Sequence, residues 1–140
     1  MMGLDTTHDC WHGSYHSFSA WRNHVAEAAG YPIGDRDGLD GETYVLPWDL
    51  FPMARYDGEG WAQQPVEDPL LHLLVHSDCD GLIHPSEGRH IAARLEQLLP
   101  RIQEQSPRYE WLRDRAVPLT EAFIAGLRRA AEAGEDVEFW

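Results

Sequence analysis

The sequence predicts a single compact domain that is mainly α-helical and carries a minor β element. The chain has 140 residues, of which 43% are apolar and six are Trp, and this length and composition suit one packed domain. Apolar residues recur at three- and four-residue intervals in several stretches, as they do on one face of a helix. No internal repeat and no linker divides the chain, so residues 1–140 are predicted to form one domain.

The first predicted helix follows a polar N-terminal segment, Met1–Gly13, which is rich in His and aromatic residues. Ser14 is suited to cap this helix because its hydroxyl oxygen can accept a hydrogen bond from a backbone N–H of the first turn. Gly30, followed by Pro32, is predicted to end it. The apolar face of the helix comprises Tyr15, Phe18, Trp21, Val25 and Ala29.

Two short segments predict β structure. Thr43–Leu46 lies inside Gly30–Pro69, a stretch rich in Gly, Pro and acidic turns for which the sequence indicates no role. Val137–Trp140 alternates between apolar and polar residues and is predicted as an edge strand. These two strands are candidates to pair with each other.

Two further helices are predicted on either side of a polar loop. Asp68 is the expected N-cap of the first, Pro69–Val75, which is mostly apolar and therefore expected to be buried. Pro85 opens the second, and we expect it to stop at Pro100 because proline has no N–H for the helical hydrogen bond. The expected core residues of this second helix are Ile91, Leu95, Leu98 and Leu99.

The C-terminal part is predicted to hold one more helix. Before it, the charged segment Arg101–Arg115 contributes three expected core contacts, Tyr109, Trp111 and Leu112. Pro118 is predicted to open the helix and Gly134 to close it. Its expected core face comprises Leu119, Phe123, Leu127, Ala130 and Ala131.

The loop between the two middle helices follows a metal-binding pattern. Such a loop has oxygen ligands at positions 1, 3 and 5, Gly at 6, a backbone carbonyl ligand at 7 and a bidentate Glu at 12. With Gly81 at position 6, the candidate metal ligands are His76, Asp78, Asp80, the Leu82 carbonyl and Glu87. Ile83 falls at position 8, where such loops carry an apolar residue that makes a short strand contact. The segment His76–Glu87 and its flanking helices resemble the EF-hand family over about 30 residues.

This loop departs from the EF-hand pattern at two positions. Position 1 is His76, where a carboxylate is usual, and position 9 is His84. Imidazole weakens a Ca²⁺ site and suits a transition metal such as Zn²⁺ or Mn²⁺. Three alternatives stay open: a weak Ca²⁺ site, a transition-metal site, or a metal-free turn in which Asp78 and Asp80 satisfy loop amides. No second loop of this kind occurs in the sequence, although EF-hands usually work in pairs.

Histidine and cysteine residues form a second group of candidates. Eight of the 140 residues are His, and each of them is either an ordinary hydrogen-bonded residue or part of a functional site. The candidates for a shared metal or catalytic pocket are His8, Cys10, His12, His76 and Cys79. If the N-terminal segment lies over the loop, His8 or His12 is a candidate general acid/base acting on a metal-bound water. The neighbouring aromatic residues either wall a ligand pocket or belong to the core: Trp11, Tyr15, Trp21 and Trp48.

Nearly the whole chain resembles a group of small actinobacterial and bacteriophage proteins. The residues that carry this resemblance are the N-terminal Met2–Gly13, the loop sequence His76–Gly81, Phe123–Leu127 and Glu138-Phe139. The resemblance implies that the N-terminal and loop motifs belong together, and it implies no particular activity.

Charge and hydropathy exclude several classes of protein. The formal net charge is −13, from 24 acidic and 11 basic residues, so the basic stripe that direct nucleic-acid binding requires is missing. No apolar run is long enough to cross a bilayer and no export signal is recognised, so we expect a cytoplasmic protein. In that compartment Cys10 and Cys79 are expected to be free thiols or ligands.

Three functions are consistent with these features. The first is a metal-binding protein whose divalent ion is structural or regulatory. The second is a metal-dependent hydrolase of phosphoesters or nucleotides with His8 or His12 as acid/base. The third is an acidic interaction or inhibitor protein of phage or host that binds a basic protein surface.

Overall fold

The structure, a computed structural model, describes residues 3–31, 34–35, 44–45, 68–74, 81–107 and 109–140. These residues are mainly helical with short strands, so the predicted fold class is confirmed. The helices are α1 (Tyr15–Ala28), α2 (Leu70–Leu74), α3 (Pro85–Glu104) and α4 (Ala116–Ala133). The strands are β1 (Gly3–Asp5), β2 (His12–Ser14), β3 (Gly34–Asp35), β4 (Tyr44–Val45), β5 (Leu82–Ile83) and β6 (Val137–Glu138), and single 3₁₀ turns lie at Thr7–Asp9 and Glu110–Leu112.

The predicted ends of α1 are confirmed. The Ser14 hydroxyl oxygen accepts a hydrogen bond from the backbone N–H of Ser17 at 3.0 Å, which satisfies one of the unpaired donors of the first turn. After α1, Gly30 takes a φ of 90°, a left-handed conformation that glycine adopts without a steric penalty. The helix therefore starts and stops on local signals that the sequence carries.

The predicted cap of α2 is also confirmed. Asp68 Oδ1 accepts the backbone N–H of Leu70 at 3.0 Å, and the same carboxylate accepts the Tyr31 hydroxyl at 2.7 Å. Arg94 of α3 forms an ion pair with Asp68 at 3.2 Å. This one side chain thus joins the start of α2 to Tyr31, which follows α1, and to Arg94 of α3. The helix itself is buried, as expected, at Leu70, His72, Leu73 and Leu74.

Helix α3 does not stop at Pro100, so that prediction is wrong. The helix continues to Glu104 with Pro100 inside it, although an interior proline costs about 3 kcal/mol. Two contacts of the last turn offset this cost. Ile102 is 1% exposed and packs in the core, and its carbonyl oxygen accepts a hydrogen bond from His24 Nε2 of α1 at 2.9 Å.

Helix α4 begins two residues before the predicted start at Pro118. A proline in the first helical turn is tolerated because the N–H that it lacks has no partner there. Gly134 closes the helix with a φ of 69°, as predicted. The buried face contains Phe123, Leu127, Ala130 and Ala131 as expected, together with Thr120, whereas Leu119 is only partly buried.

Only one of the three core contacts expected before α4 is fully buried. Leu112 is inaccessible and Tyr109 is half-buried, but Trp111 is 37% exposed, so its prediction as a core residue is wrong. These residues lie in or next to a single 3₁₀ turn. Only one side of such a short turn faces the core, so its residues are not all buried.

The core is built around stacked aromatic side chains. Trp21 packs against Phe123 at a ring distance of 5.0 Å and against Trp11 at 5.3 Å. Both Trp residues are at most 3% exposed, so they belong to the core and do not wall a ligand pocket. Of the other two predicted pocket residues, Tyr15 is partly buried against the core and Trp48 lies outside the described residues.

The C-terminal strand pairs with the candidate metal loop. Strand β6 runs antiparallel to β5, with Ile83 opposite Val137, and the predicted pairing of the tail with Thr43–Leu46 is wrong. Strand β4, which lies within Thr43–Leu46, pairs instead with β3. Ile83 and Val137 are both buried. Burial of these two facing side chains favours the pairing of β5 with β6. None of the helices in the described part of the chain has the length and apolar character needed to cross a membrane.

Candidate metal loop and the histidine turn

The structure describes the second half of the candidate loop. Gly81, at position 6, has a φ of 94°, which only glycine adopts readily, and this residue makes the sharp turn of the loop. Strand β5 follows, with Ile83 at position 8 only 1% exposed. Helix α3 then starts at Pro85, so position 12 lies in its first turn. The candidate ligands His76, Asp78 and Asp80 lie outside the described residues, as does Cys79.

Strand pairing sets the direction of the Leu82 carbonyl. The backbone N–H of Phe139 donates to the Gly81 carbonyl at 3.0 Å. Pairs in an antiparallel ladder alternate between hydrogen-bonded and non-hydrogen-bonded, so Leu82 opposite Glu138 is a non-hydrogen-bonded pair. The Glu138 N–H accordingly points away from β5 and donates to Thr7 Oγ1 at 3.0 Å. By the same alternation, the Leu82 carbonyl points away from β6.

The side chains at positions 9 and 12 have neighbours within the structure. His84 Nδ1 donates to Asp136 Oδ1 at 2.9 Å, which joins the loop to the residues after α4. Glu87 is half-buried, and its Oε2 accepts the Ser86 hydroxyl at 3.0 Å. A carboxylate in the first turn of a helix is also favoured by the helix dipole.

A buried arginine of α1 contacts the C-terminus of α2, the helix that precedes the loop. Arg22 of α1 is 6% exposed and donates from one terminal nitrogen to the carbonyls of Leu73 and Leu74 at 3.1 and 3.4 Å. Its guanidinium also lies over the Phe18 ring, 4.4 Å from the centroid. Because the last carbonyls of a helix lack helical partners, this cation holds the C-terminus of α2 in place.

The turn Thr7–Asp9 has an unusual backbone. His8 and Asp9 have φ values of 62° and 58°, a left-handed region that residues other than glycine rarely adopt. Each such residue costs on the order of 1–3 kcal/mol unless its surroundings compensate. One compensating contact is the guanidinium of Arg129 in α4, which donates to the His8 carbonyl.

The His8 side chain connects the N-terminal turn with the C-terminus of α4. Its Nε2 lies 2.9 Å from Glu135 Oε1, and its Nδ1 lies 2.8 Å from Thr7 Oγ1. An ionised carboxylate can only accept, so Nε2 carries a proton. In the neutral imidazole, Nδ1 therefore accepts the hydroxyl proton of Thr7. In that neutral state the hydrogen bonds run in one direction, from the hydroxyl through the imidazole to the carboxylate.

His12 lies on the surface between two carboxylates. Its Nδ1 is 2.8 Å from Asp5 Oδ1 and its Nε2 is 3.1 Å from Asp9 Oδ1. The hydrogen bonds to Asp5 and then to Asp9 raise the pKa of His12 above 6.5. Both ring nitrogens of each predicted acid/base residue, His8 and His12, thus bind groups of the protein itself.

Cys10 is a core residue. Its side chain is 2% exposed and is a free thiol, one of the two states that the sequence predicted. Burial raises the pKa of this thiol to about 12, which disfavours the thiolate needed for metal binding or nucleophilic attack. Cys10 is therefore unsuited to the shared pocket predicted with His8 and His12. Among the described residues, no cluster of three or more His, Cys, Asp or Glu side chains has a geometry that could hold a metal ion.

Beside His8 lies an open cleft of about 540 Å³, which the sequence did not indicate. Its lining residues are Thr7, His8, Gly134, Glu135, Asp136 and Glu138. The acidic residues after the helix-ending Gly134 are visible in the sequence, but 127 positions separate His8 from Glu135. One sequence contains no local signal for a contact over that separation. No protein-family model, curated protein or solved structure matches this chain.

Proposed function

We propose that the protein binds one divalent metal ion in the loop 76–87, where the ion has a structural or regulatory role. The observation that supports this most is the backbone of Gly81–Glu87. Its left-handed glycine, two-residue strand and helix start occur at the positions that an EF-hand loop requires. The strand contact of Ile83 and the placement of Glu87 in the first turn of α3 fit the same pattern.

The proposed ligand set mixes hard and softer donors. Asp78, Asp80, Glu87 and the Leu82 carbonyl would supply oxygen, and His76 would supply an imidazole nitrogen in place of the usual carboxylate. Oxygen donors suit Ca²⁺, whereas imidazole suits Zn²⁺ or Mn²⁺. With one carboxylate fewer, we expect a Ca²⁺ affinity below that of an ordinary sensor loop and a measurable affinity for a transition metal.

The ion would act by joining two helices. Helix α2 ends just before the loop and is held by Arg22, and α3 begins within the loop and packs along α4. An ion bound only by the folded loop adds its binding free energy to the stability of the fold. The proposed role is therefore to fix the α2–α3 connection to the core.

Elemental analysis of the purified protein, followed by titration with Ca²⁺ and with Zn²⁺, tests this proposal. We expect a stoichiometry near one and a rise in the melting temperature, both lost in Asp80→Ala. Asp114→Ala, at an exposed position, is the matched control and should retain both effects. Absence of metal under every condition, or equal binding by the two variants, would refute the proposal.

The two other functions have less support. A hydrolase that uses His8 or His12 would have to break the hydrogen bonds that engage both nitrogens of each ring. Binding to a basic protein surface rests on the net charge alone, and it stays a prediction.

A further inference from the structure

We propose that Thr7, His8 and Glu135 form a separate site, in which a hydroxyl, an imidazole and a carboxylate act in series to hydrolyse carboxylic esters. All three residues line the open cleft of about 540 Å³ beside the end of α4. The site includes none of the candidate metal ligands of the loop 76–87. The proposal therefore does not depend on a metal ion in that loop.

The hydrogen bonds of Thr7 prepare its hydroxyl for nucleophilic attack. Its Oγ1 lies 2.8 Å from His8 Nδ1, so in the neutral imidazole the hydroxyl proton is directed at a base. The Asp136 carbonyl, at 3.5 Å, is a weaker acceptor for the same proton. Oγ1 also accepts the backbone N–H of Glu138 at 3.0 Å. A hydroxyl oxygen has two lone pairs, so these contacts leave one of them for attack on a carbonyl carbon.

Glu135 completes the series by acting on His8. Its Oε1 accepts from His8 Nε2 at 2.9 Å, which selects the tautomer whose Nδ1 carries no proton. When Nδ1 takes the proton of Thr7, the imidazole becomes a cation, and the neighbouring carboxylate stabilises that charge. Thr7 and His8 are therefore the catalytic residues, and Glu135 is a positioning residue.

The bonds to His8 have opposite consequences for two kinds of hydrolase. To activate a metal-bound water, His8 would have to release Thr7 or Glu135. To activate Thr7 itself, His8 needs both bonds, and both are present. The geometry thus favours a threonine nucleophile over a metal-bound water at this imidazole.

The backbone that carries His8 is a second, independent observation. His8 and Asp9 have φ values of 62° and 58°. Residues other than glycine keep this conformation only where their surroundings enforce it, and such residues cluster at active sites. Arg129 of α4 supplies one enforcing contact, because its guanidinium donates to the His8 carbonyl. With this backbone, the imidazole reaches both the Thr7 hydroxyl and the Glu135 carboxylate.

Two steps complete the reaction. In the first, Thr7 Oγ1 bonds to the acyl carbon, the C–O bond to the alcohol breaks, and the hydroxyl proton passes through His8 Nδ1 to the departing alcohol. In the second, water attacks the acyl carbon and gives a proton to His8 Nδ1. The Oγ1–acyl bond then breaks, the carboxylic acid leaves, and Thr7 regains its proton.

The charge of the cleft defines the class of ester. Its lining includes the carboxylates of Glu135, Asp136 and Glu138, which repel an anionic substrate. A cationic group on the substrate would offset the negative charge that develops on the carbonyl oxygen. We expect a 4-nitrophenyl ester that ends in a trimethylammonium group to react faster than one that ends in a carboxylate. The reverse order would contradict this cleft as the site.

Hydrolysis of 4-nitrophenyl acetate tests the catalytic residues. Thr7→Val lacks the hydroxyl and His8→Asn lacks the base, so each should lower the rate about ten-fold or more. Asn is chosen because it tolerates a left-handed backbone. His90→Gln, at an exposed position of α3, controls for hydrolysis by surface imidazoles and should keep the wild-type rate. Equal rates in wild type and Thr7→Val would overturn the proposal.

The covalent acyl group identifies the nucleophile directly. Wild-type protein is mixed with 4-nitrophenyl acetate, quenched in acid and digested, and mass spectrometry locates the acetyl group. We expect it on Thr7 and, because the hydroxyl is kept, on residue 7 of Thr7→Ser. Acetylation only at other residues, or none, would overturn the proposal, and this result decides even if Thr7→Val and His8→Asn do not fold.

Glu135→Gln distinguishes the positioning role from structural support. Glutamine keeps an acceptor oxygen for His8 Nε2 but loses the charge that stabilises the imidazolium. We expect kcat for 4-nitrophenyl acetate to fall about ten-fold or more, with KM and the melting temperature near their wild-type values. An unchanged kcat would contradict the role of Glu135, and a fall in kcat matched by a lower melting temperature would indicate structural support only.

Discussion

Gly126 of α4 lies so close to Cys10 that a Cβ at residue 126 would be 2.5 Å from the Cys10 sulfur. The same Cβ would be 2.8 Å from the His8 carbonyl. Only glycine therefore allows α4 to approach the N-terminal turn. The approach packs α4 against the Thr7–Asp9 turn, in which His8 and Asp9 have left-handed backbones.

Gly126→Ala is expected to destabilise the protein. The steric clash should cost about 1–3 kcal/mol, which exceeds the gain of about 1 kcal/mol that alanine brings to a helix interior. Gly88→Ala in α3 is the matched control, because its Cβ would lie 3.6 Å from Leu127, an ordinary contact distance. Denaturant unfolding should show a loss for the first substitution and no loss for the second. Similar behaviour of the two variants would contradict the close approach at Gly126.

Local signals in the sequence predicted most helix ends. Ser14, Asp68 and Gly134 act at the positions expected of them because capping involves residues within one turn. The wrong predictions depend on distant contacts. The burial of Ile102 in the core stabilises α3 beyond Pro100. The sequence around Pro100 and Ile102 contains no local signal for that burial.

Part of the candidate site was predictable because its signals, like those of the helix caps, are local in the sequence. The loop pattern is contiguous, so the turn at Gly81, the strand contact of Ile83 and the helix start at Pro85 could be predicted from spacing alone. The partner of β5 and the contact between His8 and Glu135 join the two ends of the chain, and a single sequence does not encode such pairings in its spacing. The buried state of Cys10 likewise follows from the approach of α4.

Thr120→Val is expected to lower the free energy of unfolding because it removes the hydrogen-bond acceptor of the Trp21 indole. The Trp21 indole N–H donates to Thr120 Oγ1 at 2.9 Å in the buried core, and valine has the shape of threonine without the acceptor. An unsatisfied buried donor costs about 1–3 kcal/mol. Chemical denaturation monitored by tryptophan fluorescence measures this loss. A change below about 0.5 kcal/mol would indicate that the bond contributes little.

The pH dependence of stability should contain a contribution from His12. The pKa of this imidazole is raised in the folded protein by Asp5 and Asp9. Its stabilising contribution is therefore fully present below the unfolded value of 6.5 and is lost as the pH rises through the higher folded value. We expect the difference in unfolding free energy between wild type and His12→Gln to shrink over that interval. His90→Gln, at an exposed position, serves as control, and an equal pH profile for both variants would refute the role of His12.

Cys10 should be unreactive in the folded state. A rise in pKa from 9.0 to about 12 lowers the thiolate fraction about a thousand-fold, and burial blocks access as well. In a Cys79→Ser background, a thiol reagent is expected to label Cys10 only after denaturation. Rapid labelling of the native protein would show that the N-terminal turn opens away from α4.

The metal site is tested most directly by the melting temperature, measured after chelation and again after addition of Ca²⁺ or Zn²⁺. The measurement is compared among three proteins: wild type, Glu87→Gln and Glu121→Gln. At a free metal concentration 100 times the Kd, one site adds about 2.7 kcal/mol of stability, which raises the Tm by several degrees. We expect this rise in wild type and in Glu121→Gln, whose substitution lies at an exposed position of α4, and a much smaller rise in Glu87→Gln. The same Tm with and without metal in all three proteins would contradict a metal-binding loop.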